Sequence, residues 1–580
     1  LACEGSTLTQ KRQIAERDPS FALELIADNS NHLLFDDLPA RVREDLCLET
    51  GARSSELRSL AEAVLQGEIG GLLRNELGLL RFAVAFLGSL QTVPHPGEAI
   101  TPGQIRLKLG DQHGIADVEK LEIQTSRAAS AGSLFGPPDW CEGSHQWRFQ
   151  LGYLLRFILA GQPDFTRQVR LAHWKEGASA YRPAESHWYQ RLYGLFNGQP
   201  AFGDDWLPIT DWVEHFLSAL LHWPGCRSPD GFEWVDQGIE ATLSEIRTRI
   251  SMIEKKQGKS TETLLLPLVA KRPTANQASR PLRACIVQTA IPAAGDFKVT
   301  DLTLSTRSVR RRHRNHLSAA LAAVERMLVL RETHNGSDGR LDWLILPELA
   351  VHPRDVCTHL IPFSRAHRTM ILAGLTYEEI LSGQPLVNSA LWIIPEWSRA
   401  YGLQMRTRRQ GKLHLAPDEQ RFNSGTIRLQ GFRPCQWLVG YPWSDDPVAR
   451  PLWLTASVCY DATDLRLAAD LRDASDVFAI PALNKDVKTF DQMALALHYH
   501  MFQLVVVANN GQYGGSNAYW PSSNSIERQI FHLHGQPQAS IAFLEIKDIA
   551  AFLMRRNHAG LSAEKWKFPP AGLDGLSGWK

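Results

Sequence analysis

Residues 343–348 read Trp-Leu-Ile-Leu-Pro-Glu, a short apolar run that ends in a carboxylate. Comparable apolar runs occupy residues 284–287, 370–373, 391–394, 452–455, 477–480 and 504–507. Consecutive aliphatic and β-branched residues predict strands that are buried on both faces. Between the runs at 284 and 343, an apolar stripe at helical spacing predicts a helix from about Val309 to Arg331. Strands that alternate with helices predict an α/β fold for the second half of the chain.

The first half of the chain has a different pattern, in which apolar residues recur at helical rather than strand spacing. The helices predicted there lie within residues 54–90, 147–158, 212–221 and 239–253. The chain is therefore expected to be multidomain. Its predicted parts are a mostly α-helical domain (1–253), a polar, proline-punctuated linker (254–281), an α/β domain (282–550) and a C-terminal tail (551–580).

Composition restricts the class of protein. The chain has 580 residues, 44% of them hydrophobic and 21% charged, which excludes a disordered or fibrous protein. The 62 basic residues balance the 62 acidic ones, so no global charge favours nucleic acid or an anionic membrane. Eight scattered cysteines without a CxxC pair predict a reducing, cytoplasmic compartment. Leu1 is neither an initiator Met nor part of a secretory signal, which is compatible with a fragment of a longer protein and leaves that question open.

Three strand ends in the second half carry reactive side chains. Glu348 follows the run at 343, Lys412 ends a polar stretch from Arg409, and Cys459 follows the run at 452. A thiol has a reference pKa near 8.5, so at neutral pH it needs a base and a positive neighbour to become a nucleophile. Each motif alone fits a turn, a solvated loop or a buried small side chain. Together, on an α/β half, they predict a catalytic site with Glu348 as the base and Lys412 as the cation.

The order Glu, Lys, Cys resembles that of the nitrilase, or carbon–nitrogen hydrolase, superfamily. Gln288 at the end of the first strand belongs to the same resemblance, as do the Asn388-Ser389-Ala390 stretch and the segment from Asp473 to Pro481 that leads to Asn484. The resemblance covers about residues 283–550. It implies a nitrilase-like αββα sandwich for this half and leaves the first half unassigned.

The resemblance also implies a mechanism and a set of roles. Cys459 would attack an amide or nitrile carbon and form a thioester, with Glu348 moving the protons. Lys412 and the backbone N–H of Tyr460 would stabilise the tetrahedral anion. The supporting positions that the resemblance implies are Glu419, Tyr460 and Asn484.

The resemblance further implies a small-molecule substrate and a homo-oligomer, and we expect no cofactor, no metal and no membrane span. A helical region before a nitrilase-like module, on a chain without an initiator Met, also resembles the C-terminal part of a bacterial antiphage reverse transcriptase fused to a nitrilase. Nucleic acid would then be a partner only through a polymerase upstream of residue 1. The alternative function is a non-catalytic or regulatory assembly scaffold of such a defence protein.

Other motifs are interpreted as structural. The paired aspartates in Phe202-Gly203-Asp204-Asp205 resemble those of polymerases, but the surrounding sequence favours a loop that leads into a helix. The histidine pairs at 498 and 500 and at 532 and 534 could chelate a metal, but the sequence indicates no third ligand. The basic cluster at 310–314 is interpreted as a solvated helix face.

Overall fold

The computed structural model describes most of the second half of the chain and parts of the first. The described residues are 57–65, 71–90, 99–112, 114–124, 133, 135–137, 141, 143–160, 205–221, 238–271, 279–335, 339–380, 385–398, 402–423, 428–446, 448–535, 537–557 and 565–573. Predictions for residues 1–56 and for Asp204 lie outside them. The chain divides into two units, residues 1–256 with 381–384 and residues 257–380 with 385–580.

The first unit contains the predicted helices and also a small sheet. Its helices are α1 (Leu60–Leu65), α2 (Glu76–Leu90), α3 (Gln146–Ala160), α4 (Asp211–Leu221) and α5 (Ile239–Glu254). Its strands, β1 (Arg58–Ser59), β2 (Ile105–Gln112) and β3 (Ile115–Ile123), form an antiparallel sheet. A mostly α-helical domain is therefore an incomplete description. The alternation of Ile105, Leu107 and Leu109 with polar residues has the period of a strand, which a search for helical spacing does not detect.

A buried ion pair joins three parts of this first unit. The Glu76 carboxylate, at the start of α2, accepts hydrogen bonds from Arg249 Nε on α5 and from the backbone N–H of Thr210, both at 2.7 Å. The Arg249 guanidinium also donates to the Thr210 hydroxyl at 2.8 Å. Because Thr210 directly precedes α4, this pair fixes the starts of α2 and α4 against α5.

The second unit contains two mixed sheets. Its strands are β4 (Leu265–Val269), β5 (Leu282–Gln288), β6 (Trp343–Val351), β7 (Met370–Glu379), β8 (Leu386–Ser398), β9 (Gly402–Gly411), β10 (Gln436–Tyr441), β11 (Leu452–Ala456), β12 (Val477–Ala482), β13 (Leu504–Asn509), β14 (Ser516–Tyr519), β15 (Gln529–Leu533) and β16 (Ser540–Ile546). One sheet has the order β16-β5-β6-β7-β8-β9 and the other the order β15-β14-β13-β12-β11-β10-β4. All seven strands predicted from the apolar runs are present. In each sheet the central trio, β5-β6-β7 and β11-β12-β13, is parallel.

Helices pack against both sheets. The helices of this unit are α6 (Arg307–Asn335), α7 (Pro353–Asp355), α8 (Ile361–His367), α9 (Pro417–Gln420), α10 (Leu465–Arg472), α11 (Val487–His500) and α12 (Ile549–Arg556). The predicted apolar stripe of α6 is buried in one cluster with residues of β5, β6 and β7. Strand β6 contacts β12 and β13 of the other sheet, and α11 contacts β13 and β14. Two sheets that pack together, each with helices against it, agree with the expected αββα layers. No helix in the described ranges combines the length and the apolar character that a bilayer crossing needs.

Two predicted boundaries are wrong. The segment 254–281, predicted as a linker, contains β4, which pairs in parallel with β10. This strand is the last of its sheet and carries Pro267, a residue that an edge strand tolerates and that the sequence pattern treats as a breaker. The segment 551–580, predicted as a tail, begins inside α12, which packs on the α/β unit. Phe552 and Arg556 of this helix are buried.

Arg556 supports a prediction about stability. Its guanidinium is fully buried and donates to the carbonyl oxygens of Met501, Phe502 and Arg472, with Asp476 3.3 Å from Nε. Arg556→Met would leave these acceptors buried without their donor. We therefore expect the free energy of unfolding to fall by roughly 3 kcal/mol, measured by urea denaturation.

The matched control for Arg556→Met is Lys547→Met. Lys547 is mostly exposed and lies 3.7 Å from Glu545, so its loss should have little measurable effect. Equal unfolding midpoints for the two variants would show that α12 is a dispensable tail after all.

Candidate active site

Glu348 lies in an irregular part of β6. The pairing of β6 with β7 is interrupted between Leu346 and Val351, so the intervening residues leave the regular ladder. Gly374 of β7 passes very close to this bulge, because a Cβ atom there would lie 2.3 Å from the carbonyl oxygen of Pro347. Only glycine permits that approach. The bulge and the glycine together place Glu348 where β6 leaves its regular pairing with β7.

Lys412 directly follows β9 and is held through its backbone. Its N–H donates to the carbonyl of Asn388 at 3.0 Å, and its own carbonyl accepts from the N–H of Phe432 at 2.8 Å. The neighbouring Gly411 permits the second contact, since a Cβ atom at this position would lie 1.9 Å from the Phe432 carbonyl oxygen. The Lys412 backbone is therefore fixed from two sides.

Cys459 lies in a turn shortly after β11. Its φ angle is +47°, in the left-handed region that non-glycine residues rarely adopt. It is the first residue of a short 3₁₀-helix, Cys459–Thr463, and is 6% exposed. Strained residues of this kind are held in place by their surroundings and cluster at functional sites.

The Lys412 ammonium lies between two carboxylates. Nζ donates to Glu348 Oε1 at 2.8 Å and to Glu419 Oε2 at 2.5 Å. All three side chains are buried. Burial alone would lower the pKa of Lys412, but the charges of Glu348 and Glu419 outweigh it, so the pKa is raised and the lysine stays positive.

The Cys459 thiol is a neighbour of the same carboxylate. Burial raises its pKa well above the usual value, and the charge of the neighbouring Glu348 carboxylate raises it further. The Lys412 charge and the backbone N–H of Leu483 act in the opposite direction. The thiol is therefore protonated at neutral pH, and the neighbouring Glu348 carboxylate is a group able to remove the proton.

Asn388 contacts the carboxylates of both Glu348 and Glu419. No site role was assigned to this residue from the sequence, where it belonged only to the stretch 388–390 of the resemblance. Its Nδ2 donates to Glu348 Oε1 at 2.8 Å and to Glu419 Oε1 at 2.7 Å. Two carboxylate acceptors define the orientation of the amide, because its oxygen would repel them. The signal for this Asn in the sequence was the Asn388-Ser389-Ala390 stretch that precedes the apolar run at 391.

Two further contacts were not foreseen from the sequence. The Tyr377 hydroxyl donates to Glu419 Oε1 at 3.1 Å, and the backbone N–H of Leu483 donates to Glu348 Oε2 at 2.9 Å. Tyr377 lies in an apolar strand, where the sequence pattern predicts that an aromatic residue belongs to the hydrophobic core. A backbone donor such as Leu483 leaves no signal in a sequence.

The three supporting positions have different surroundings. Glu419 belongs to the charged cluster and also accepts the backbone N–H of Ala416 at 2.7 Å. The Tyr460 side chain is 40% exposed, and its backbone N–H lies in the first turn of the 3₁₀-helix, where no helical acceptor exists. Asn484 follows Leu483, but its N–H donates to the side chain of Asn509 at 2.8 Å rather than to the charged cluster.

The remaining motifs have local partners. Asp205 lies in a turn before α4, as expected for a loop that leads into a helix. His498 is buried, which lowers its pKa to about 4, and His532 bonds Asp491 Oδ2 at 3.0 Å. No group of three potential metal ligands occurs within the described stretches of the chain.

The basic cluster at 310–314 is not simply a solvated helix face, as the sequence had indicated. Arg310 and Arg314 both pair with Asp355, whose carboxylate is buried. His313 is buried as well, and its Nε2 lies 2.6 Å from the carbonyl oxygen of Ala350. This end of α6 is therefore fastened to the chain that follows Glu348.

An apolar cluster adjoins the charged residues. Its buried members are Phe297, Leu302, Leu304, Leu349, Tyr377, Leu386 and Leu429, and Leu415, Phe422 and Leu483 pack against it. Tyr377 and Leu483 belong to this surface and also donate to the two carboxylates. The charged cluster therefore has an apolar wall on at least one side.

Comparison with protein-family models found no match, and comparison with curated proteins found none either. Among solved structures, a CN-hydrolase superfamily protein from Xanthomonas campestris with an arsenic adduct in its active site is 14% identical, covering 48% of this chain and 95% of its own, with a TM-score of 0.32. Nit3 of Saccharomyces cerevisiae, from branch 10 of the nitrilase superfamily, is 13% identical, covering 50% and 98%, with a TM-score of 0.34. A nitrilase-superfamily amidase from Nesterenkonia is 13% identical, covering 49% and 98%, with a TM-score of 0.30. The comparisons provide no support for the reverse transcriptase fusion.

Proposed function

We propose that this chain hydrolyses the carbon–nitrogen bond of a non-peptide amide or a nitrile through a thioester on Cys459. The observation that supports the proposal is one buried cluster, in which Cys459 lies near Glu348 and Glu348 is paired with Lys412. A nucleophile, a base and a cation in one buried cluster are the components that covalent catalysis requires. A small-molecule substrate is part of the same proposal.

In the first half-reaction on an amide, Glu348 takes the proton of the thiol as sulfur attacks the carbonyl carbon. The carbonyl π electrons move to oxygen and form a tetrahedral anion. When the anion collapses, the C–N bond breaks, and the nitrogen leaves with the proton that Glu348 returns. The products are ammonia or an amine and an acyl thioester on Cys459.

In the second half-reaction, Glu348 removes a proton from a water molecule, and the resulting hydroxide attacks the thioester carbon. The C–S bond breaks, the carboxylic acid leaves, and sulfur regains the proton from Glu348. One carboxylate thus acts as base and then acid in both halves.

Two donors could stabilise the tetrahedral anion. A lysine ammonium has three N–H groups, and those of Lys412 that bind Glu348 and Glu419 leave one for the substrate oxygen. The backbone N–H of Tyr460 is the second. Donors of this kind are each worth about 3 kcal/mol of transition-state stabilisation.

The charge of the site favours a neutral substrate. Glu348 and Glu419 carry two negative charges against one positive charge on Lys412, so the cluster has a net formal charge of about −1. An anionic substrate group placed beside it would be repelled in a buried, weakly screened environment. The adjoining apolar wall favours an uncharged acyl group in the same way.

The test is a comparison of the wild-type chain with Cys459→Ala on a panel of small amides and nitriles, with released ammonia as the readout. We expect the variant to lose turnover completely and to lose covalent labelling by iodoacetamide at residue 459, because alanine offers no nucleophile. Its far-UV circular dichroism should be unchanged, since the substitution removes one buried sulfur atom.

Cys357→Ala is the control, because Cys357 is an exposed free thiol. It should keep full turnover. Turnover by Cys459→Ala equal to that of the wild type would contradict the proposal. A wild-type chain that releases nothing from any member of the panel would favour the non-catalytic scaffold.

We keep the wider proposal, based on sequence resemblance alone, that the chain is a module of a bacterial antiphage reverse transcriptase. The genomic sequence before the codon for Leu1 tests it. Polymerase motifs in the same reading frame would support the fusion. A start codon directly before Leu1 would contradict it.

A further inference from the structure

Asp461, two residues after Cys459, is buried and bonds to the chain beyond Lys412. Its Oδ2 accepts the backbone N–H of Leu413 at 2.8 Å, and its Oδ1 accepts that of His414 at 2.6 Å. The residue is 1% exposed. One carboxylate therefore links the turn that carries the thiol to the two residues after the lysine.

Arg433 completes this link. Its Nη1 lies 3.1 Å from Asp461 Oδ2, and both side chains are 1% exposed. The residue before it, Phe432, donates its backbone N–H to the Lys412 carbonyl. The ion pair therefore connects three of the chain segments around Lys412 and Cys459, and neither of its side chains hydrogen-bonds the ammonium.

We propose that Asp461 and Arg433 are a positioning pair that sets the separation of the Cys459 thiol from the Lys412 ammonium. The proposal rests on the proposed function for its catalytic consequence, but the positioning itself can be tested without a substrate. Asp461 acts through the backbone on either side of the site, so it is not a catalytic residue.

The chemistry of the link requires a carboxylate. Two oxygens accept two diverging backbone N–H groups, and one of them also accepts the guanidinium. An asparagine offers one oxygen, so its NH₂ group would face at least one of these donors. Asp461→Asn should therefore detach one end of the link while changing the side-chain volume very little.

A double variant separates the effect of losing the Asp461 link from the effect of an unbalanced Arg433 charge. Asp461→Asn alone leaves the Arg433 charge unbalanced, which would lower the pKa of a nearby thiol and could also impair folding. Asp461→Asn combined with Arg433→Gln keeps the pair neutral and buries no unpaired ion. If the single variant does not fold, the double variant carries the test.

The readout is the pH dependence of iodoacetamide alkylation at Cys459, followed by mass spectrometry in the full chain. If the ammonium moves away from the sulfur, the thiolate loses a stabilising charge. The pH midpoint of Cys459 alkylation should therefore rise by about one unit in the double variant. On an amide that the wild type hydrolyses, kcat should fall about 30- to 100-fold. KM should change by no more than about threefold, because the substrate pocket is not altered.

Asp464→Asn is the matched control. Asp464 caps α10 through the N–H of Arg466 at 2.9 Å and lies 3.3 Å from the side chain of His414, so it touches the same region without joining the two backbones. Asparagine is also a good helix cap. Its alkylation midpoint and kcat should match those of the wild type.

The outcomes separate this inference from the proposed function. An alkylation midpoint in the double variant that is unchanged or lower would overturn the positioning role, even if the wild type is an active hydrolase. A raised midpoint in a chain that hydrolyses no amide would support the positioning role and contradict the hydrolase. Thermal stability alone decides neither, because any buried ion pair affects it.

Discussion

Glu348→Gln is expected to abolish turnover while making Cys459 easier to alkylate at neutral pH. Glutamine cannot take a proton from the thiol or from water, so both half-reactions lose their base. Removing a general base typically costs 10²- to 10⁴-fold, and here one group serves two steps, so we expect a loss of about 10⁴-fold in kcat. Ammonia release measures this loss.

The thiol should respond in the opposite direction. Burial and the charge of Glu348 raise the pKa of Cys459, while the charge of Lys412 lowers it. Glu348→Gln removes the repulsive charge and keeps the ammonium, so the thiolate should form at lower pH than in the wild type. The midpoint of iodoacetamide alkylation at Cys459 should therefore fall.

The control is Glu396→Gln, the same change at a carboxylate that pairs with Arg406 on the neighbouring strand. It should leave turnover and the alkylation midpoint unchanged. Two results would show that Glu348 is not the base for Cys459. One is a raised midpoint of Cys459 alkylation in Glu348→Gln, and the other is turnover within about tenfold of the wild type.

Lys412→Met is expected to combine loss of turnover with a large, pH-dependent loss of stability. Without the ammonium, the carboxylates of Glu348 and Glu419 share a buried site with no cation between them. Removing one partner of a buried ion pair costs about 3–5 kcal/mol, and two carboxylates remain here. Urea denaturation measures the change in the free energy of unfolding.

The sign of the pH dependence follows from proton uptake. Two like charges in one buried site favour protonation of one of them in the folded state, whereas both ionise in the unfolded chain. The variant therefore gains stability as the pH falls, so its deficit against the wild type should be smaller at pH 5 than at pH 8.

Lys485→Met is the matched control. Lys485 pairs with Asp418, which neighbours Glu419 in α9, at 2.8 Å, but this pair lies on the exposed surface. It should change stability little at either pH. A deficit for Lys412→Met that is equal at both pH values would show that the two carboxylates do not share the ammonium.

The strands and the longest helix of the second unit could be predicted because their signals are local. The run at 343 is buried over its whole length, and α6 extends only a few residues beyond its predicted ends. Two of the strands that were missed lack an uninterrupted apolar run. Strand β9, Gly402–Gly411, carries three arginines, and β4 is an edge strand that contains Pro267.

The sequence by itself determined which half of the chain is α/β and which three reactive groups lie in or shortly after its strands. Burial over several consecutive residues leaves an apolar run, and a reactive residue after such a run can be recognised without knowing its neighbours. Only the tertiary structure decided what surrounds them. Three of the contacts around them join residues that are far apart in the chain. They are Asn388 between two carboxylates, the Tyr377 hydroxyl on Glu419, and the link from Asp461 to the backbone after Lys412. Such contacts depend on strand order and on a bulge of a few residues, which no local pattern encodes.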